Sequence, residues 1–113
     1  MSIHAQGMRA WLLQRLSGAY IAVYLVLALF IIGTGPRLDY VRWHELLSQP
    51  PVSIATLLFF LFLLIHAWVG IRDVLLDYIQ LQALRFSILM VLALGLLTMG
   101  IWVSMILFSV VQL

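Results

Sequence analysis

An all-α membrane protein, with three transmembrane helices and a short interfacial helix, is the fold this sequence predicts. Three observations carry that expectation. Of 113 residues, 65% are hydrophobic and only 9% are charged, with a mean hydropathy of +1.18. A soluble domain has about a quarter of its residues charged, because it must cover its core with a wettable surface. The apolar residues also gather in three long runs, and turn-forming and amphipathic stretches separate those runs.

The first run, Leu16 to Gly33, contains no charge and predicts a span over about 11–33. Gly33, Gly35 and Pro36 end it. Between Arg37 and Gln49, Tyr40, Trp43, His44 and Leu47 recur at i, i+3, i+4 and i+7. That spacing predicts a short helix over about 37–49, lying at the interface with Tyr and Trp at headgroup level. Pro50 and Pro51 precede the second span, about 53–77, whose charge-free run Ile54–Ile71 is broken only by His66. A short connection, Arg72 to Arg85, carries Asp73 and Asp77. The third span, about 84–110, belongs to a stretch from Phe86 to Leu113 without one ionisable side chain. Each run reaches the ~20 residues needed to cross a hydrocarbon core of about 30 Å once its edges are counted. Barrel strands would alternate apolar and polar residues, and helices satisfy every backbone group locally in lipid. The whole of 1–113 reads as one domain, without repeats or low-complexity tracts.

Charge sets the expected orientation. The basic residues are all arginines: Arg9, Arg15, Arg72 and Arg85 share one side, and Arg37 and Arg42 the other. The positive-inside rule then puts the N-terminus in the cytoplasm and the C-terminus in the periplasm. The arginines are not clustered, so no nucleic-acid partner is expected. The chain has no cysteine, which excludes thiolate chemistry and iron–sulfur ligation within it. The first apolar run is too long for the core of a cleavable signal, and no Arg- and Ser-rich presequence precedes it. A bacterial inner membrane is the expected location.

His66 is the residue that points to chemistry. Asp77 lies eleven residues on, roughly 16 Å along a helix, so His66 falls near the membrane midplane if Asp77 marks the interface. At 100° per residue, Phe59, Gly70, Asp73 and Asp77 all fall within about 40° of His66, giving a polar stripe from one surface to mid-membrane. Gly70 leaves room for a flat group or a neighbouring backbone. Two readings of His66 stand side by side. One is an interhelical hydrogen bond, typically worth about 0.6 kcal/mol; the other is an axial ligand to a haem iron. A second haem ligand would have to come from another subunit, because His4 precedes the first helix and His44 lies in the outer loop.

Asp77 and Tyr78 pair a carboxylate with a phenol at a membrane edge. Such a pair is suited to hydrogen-bonding a quinone carbonyl and relaying a proton, but is equally an ordinary interfacial pair. Arg15, just inside the first span, needs an anion or a route to the headgroups, because a guanidinium is costly in lipid. Asp73, Asp77, a lipid phosphate and a haem propionate are the candidates.

The stretch His66-Ala67-Trp68-Val69-Gly70-Ile71-Arg72-Asp73-Val74-Leu75-Leu76-Asp77-Tyr78 resembles the signature of the small hydrophobic membrane-anchor subunit of succinate dehydrogenase. Trp11-Leu12-Leu13-Gln14-Arg15-Leu16-Ser17-Gly18 resembles that family's opening helix, and the likeness covers nearly the whole chain. The resemblance implies that His66 is an axial ligand of a b-type haem shared with a sister membrane-anchor subunit. It implies that Arg15 faces the haem propionates, that Tyr78 hydrogen-bonds ubiquinone, and that Asp77 lies beside that site. The implied partners are a flavoprotein that oxidises succinate in the tricarboxylic acid cycle and an iron–sulfur subunit that passes electrons to the quinone. This chain would then be a non-catalytic anchor and half of a heterodimeric helix bundle. His4 receives no role. The rival expectation is a non-redox helical membrane protein or transport component whose His–Asp stripe serves packing or proton transfer.

Overall fold

The computed structural model describes the backbone of residues 3–113 and the side chains from Gly7 onward. Four helices follow in order: α1 (Ile3–Thr34), α2 (Tyr40–Ser48), α3 (Pro50–Tyr78) and α4 (Gln82–Val110). Three segments, Gly7–Thr34, Pro50–Tyr78 and Gln82–Val110, are long and apolar enough to cross a membrane. A helix as long as α3, 29 residues, extends about 43 Å, so each span outreaches the ~30 Å hydrocarbon core.

α3 is the hub. It packs against α1 on one side and α4 on the other, and among the described residues α1 and α4 do not meet. Burial is inverted relative to a soluble protein. Small polar residues Ser17, Ser53 and Thr56 are buried, while most leucines, isoleucines and valines of the spans face outward. Lipid tails accept those side chains as readily as a core would, so helix contacts are made instead by small and hydrogen-bonding residues.

The α1–α3 seam follows that rule. The Tyr24 ring stacks on Phe59 at 4.3 Å between centroids, and Tyr20 lies 5.0 Å from Phe62. Thr56 donates its hydroxyl proton to the Val52 carbonyl at 2.8 Å, so the Tyr24 hydroxyl donates to Thr56 Oγ1, also at 2.8 Å. Tyr20 donates to the Ala55 carbonyl at 2.8 Å. On the other side, Gly100 lets α4 approach α3: a Cβ there would stand 3.0 Å from Leu64 Cδ1.

The helix ends are secured by side chains. Asp39 caps α2, accepting from the Arg42 backbone N–H at 2.8 Å. The Arg42 guanidinium donates to the Ile31 carbonyl at 2.7 Å and to the Pro36 carbonyl, closing the end of α1. The Arg85 guanidinium does the same for α3, reaching the Ile79 carbonyl at 2.8 Å and the Leu76 carbonyl at 3.4 Å. These are the orphan carbonyls and negative dipole ends that attract cations. Gln112 N–H donates to the Ser48 carbonyl at 3.0 Å, tying the C-terminus to α2.

Two expectations about the connections are corrected. Arg72 and Arg85 do not bound a loop: α3 continues to Tyr78 and α4 begins at Gln82, leaving only Ile79–Leu81 between them. No glycine or proline occurs from Arg72 to Arg85, so polarity there marks the approach of water and not a break in the helix. Pro50 and Pro51 do not precede α3 but form its first turn, where a missing N–H costs nothing.

Candidate functional site

His66 lies in the middle of α3, half-buried, with its ring against α1 at Gly18. A Cβ on Gly18 would be 3.4 Å from His66 Cε1, so the glycine gives the imidazole its place. Both ring nitrogens meet α1. Nδ1 is 3.2 Å from Ser17 Oγ, and Nε2 is 3.4 Å from the Gln14 side-chain nitrogen. Ser17 is 1% exposed and also hydrogen-bonds the Gln14 backbone carbonyl at 3.1 Å. The Gln14 amide rests on Gly70, where a Cβ would be 3.4 Å from its nitrogen, and its oxygen is buried without a hydrogen-bond partner. The space at Gly70 is thus taken by a side chain and not by a neighbouring backbone.

Beside this crossing, the N-terminal part of α1 and the C-terminal part of α3 line a groove of about 830 Å³. Gln14, Trp68 and Val69 line its inner part, and Trp11, Arg9 and Arg72 its outer part. Arg72 pairs with Asp73 at 3.2 Å, while its Nε is buried without a partner.

The predicted stripe on α3 is divided by this packing. Phe59, His66 and Gly70 are covered by α1, whereas Asp73 and Asp77 are exposed. Within the chain, α1 occupies the inner half of the stripe, and only its outer half remains open. Tyr78 is 81% exposed at the end of α3, next to the exposed Asp77. Arg15 is exposed and meets neither aspartate; its guanidinium lies over the Trp11 ring, 5.4 Å from the centroid. Cation–π attraction between residues one turn apart explains that placement. His44 packs against Tyr40 in α2, at the opposite end of the molecule from Tyr78, and the His4 side chain lies outside the described residues.

Ser17 and Gln14 were missed as partners of His66. A signal existed: Gln14, Ser17 and Gly18 fall at i, i+3 and i+4, and polar residues within a span turn toward protein rather than lipid.

Fold and site together define a polytopic helical membrane protein that holds one imidazole between two of its spans. Residues 1–109 match the family described as succinate dehydrogenase/fumarate reductase transmembrane subunit. The chain is also similar to the succinate dehydrogenase hydrophobic membrane anchor subunit of Coxiella burnetii, with 27% identity over 97 residues, 86% of this chain and 84% of that protein. The chain belongs to the succinate dehydrogenase/fumarate reductase transmembrane subunit family.

Proposed function

We propose that this chain anchors a succinate:quinone oxidoreductase in a bacterial inner membrane, contributing one haem ligand and part of the quinone site. The N-terminus and the α3–α4 connection face the cytoplasm, and α2 and the C-terminus face the periplasm. The iron–sulfur subunit sits on the cytoplasmic end, with the flavoprotein that oxidises succinate beyond it. The sister membrane-anchor subunit lies alongside in the membrane and provides the second haem ligand.

The observation that carries the redox half of this reading is the hold on His66. A side chain fixed through Nδ1, with Nε2 facing an amide whose oxygen is unsatisfied, beside a groove that mixes Trp11, Trp68 and Val69 with Arg9 and Arg72, fits an axial ligand. A bound b-type haem would supply a one-electron store at that depth. Arg15, exposed with its guanidinium over Trp11, would supply positive charge to the propionates of such a group.

Tyr78 and Asp77 form the quinone-facing pair. The phenol donates a hydrogen bond to a quinone carbonyl, and the carboxylate beside it passes protons from water. Two-electron quinone reduction consumes two protons, and both side chains are exposed where α3 ends, as proton supply at a membrane edge requires. Ubiquinone is the expected substrate.

The test is His66→Ala in the purified complex. The reduced-minus-oxidised b-band should be lost or strongly diminished while the subunits still co-purify. An unchanged b-haem spectrum removes the ligand role and favours the non-redox alternative, in which Gln14, Ser17 and His66 serve as interhelical glue.

A further inference from the structure

The donor count at His66 fixes more than its location. Ser17 has one hydroxyl proton and two neighbours within reach, the Gln14 backbone carbonyl at 3.1 Å and His66 Nδ1 at 3.2 Å. A carbonyl can only accept, and a serine within a helix characteristically donates back to the preceding turn. The Ser17 oxygen therefore turns its lone pairs to Nδ1, and a neutral imidazole facing an acceptor there must carry its proton on Nδ1. Nε2 is then left with a lone pair, opposite the Gln14 amide nitrogen, which can only donate. With the Ser17 proton on the Gln14 carbonyl and the Gln14 amide nitrogen toward Nε2, the other tautomer would set lone pair against lone pair at Ser17 and N–H against N–H at Gln14. No water competes, because Ser17 is 1% exposed.

Resting on the reading of His66 as a haem ligand, we propose that Ser17 is its positioning residue. It holds the imidazole in the Nδ1–H tautomer with the Nε2 lone pair presented, and the Gln14 amide is a cap that a ligand at Nε2 displaces. A ligating histidine ordinarily donates its second N–H to a carboxylate, a carbonyl or water, which orients the ring and raises its basicity. Here a buried hydroxyl does this, and the hydroxyl is itself anchored to the α1 backbone. Gly18 completes the arrangement by letting the ring lie flat enough against α1 for Nδ1 to reach Ser17. The cap is cheap to remove. Gln14 Oε1 is already buried without a partner and the N···N contact is long at 3.4 Å, so moving the amide into the adjoining groove gives up little.

The experiment uses the complete complex carrying Ser17→Ala, Ser17→Cys, Ser17→Thr or His66→Ala. The readouts are haem-to-flavin ratio, affinity for haem added back to haem-depleted complex, and the midpoint potential of the b-band. Ser17→Ala should weaken haem affinity about tenfold, the low end for loss of a ligand's hydrogen-bond partner. It should also raise the potential, because a less basic imidazole supports the ferric state less well. A tenfold selective loss for the ferric form corresponds to about 59 mV. Ser17→Cys, near-identical in size but a poor acceptor, should follow Ala, and it carries the test if the Ala complex fails to assemble. Ser17→Thr should restore both values. Wild-type affinity and potential in the Ala or Cys complex, or a Thr complex as impaired as Ala, overturn the role of Ser17. If His66→Ala loses haem in the same series, the ligand reading survives that result. If His66→Ala keeps its haem, both readings fall.

Discussion

Tyr78 closes α3 with its phenol in the open and, among the described residues, makes no hydrogen bond that would explain a tyrosine there rather than a phenylalanine. Tyr78→Phe removes only the hydroxyl, so helix and ring stay as they are. If the hydroxyl serves a quinone, the variant complex should reduce quinone at least about tenfold more slowly, since a positioned proton donor is worth about 10²–10⁴ in rate. Succinate oxidation with an artificial acceptor should be unchanged; equal loss in both assays would count against the quinone role. At this scale the sequence was partly legible. His66 stood out because a titratable side chain within a charge-free run is conspicuous. Its partners were obscured because neutral polar residues are tolerated in spans, and only the crossing of α1 over α3 shows that Gln14 and Ser17 meet it. Arg15 was legible as a cation needing company, but the charge pattern drew attention to distant carboxylates and away from the indole one turn behind.

The elements themselves were the most legible part, since three apolar runs of bilayer length admit little besides three helices. Their ends were less so. Charge reports where water begins, whereas a helix stops where backbone hydrogen bonds stop, and between Arg72 and Arg85 these two boundaries differ. The capping roles of Arg42 and Arg85 follow from that geometry and were not visible as composition. How α1 is held to α3 is testable through Tyr24 and Thr56. Thr56→Val keeps the shape but leaves the Tyr24 hydroxyl without its acceptor in a buried seam. The expected cost is about 0.6 kcal/mol and at most about 1.7 kcal/mol, the range found for hydrogen bonds between transmembrane helices. Tyr24→Phe should cost a similar amount, and the double variant less than the sum, because removing both partners leaves nothing unsatisfied. Thermal unfolding of the detergent-solubilised complex, read as a double-mutant cycle, checks this; strict additivity would mean that the two hydroxyls do not interact.

For the whole molecule, antiparallel packing sorts the arginines by end. The start of α1 and the α3–α4 connection share one end with Arg9, Arg15, Arg72 and Arg85, while α2 and the C-terminus share the other with Arg37 and Arg42. Arg85 and Arg42 are each committed to capping a helix, one at either end. Both keep their charge in that role, so the count remains four arginines against two. Orientation follows excess positive charge close to the spans, so the end with Tyr78 and Asp77 should be cytoplasmic. A green fluorescent protein fused to the C-terminus should therefore stay dark, and an alkaline phosphatase fused there should be active. Replacing Arg9, Arg15 and Arg72 by glutamine while adding three arginines after Leu113 should mix or reverse those signals, whereas Arg42→Gln alone should not. A fluorescent C-terminal fusion in the unaltered chain would place Tyr78 on the far side of the membrane. An iron–sulfur subunit on the cytoplasmic side could then deliver no electrons to a quinone held there, and the site assignment would fail together with the orientation.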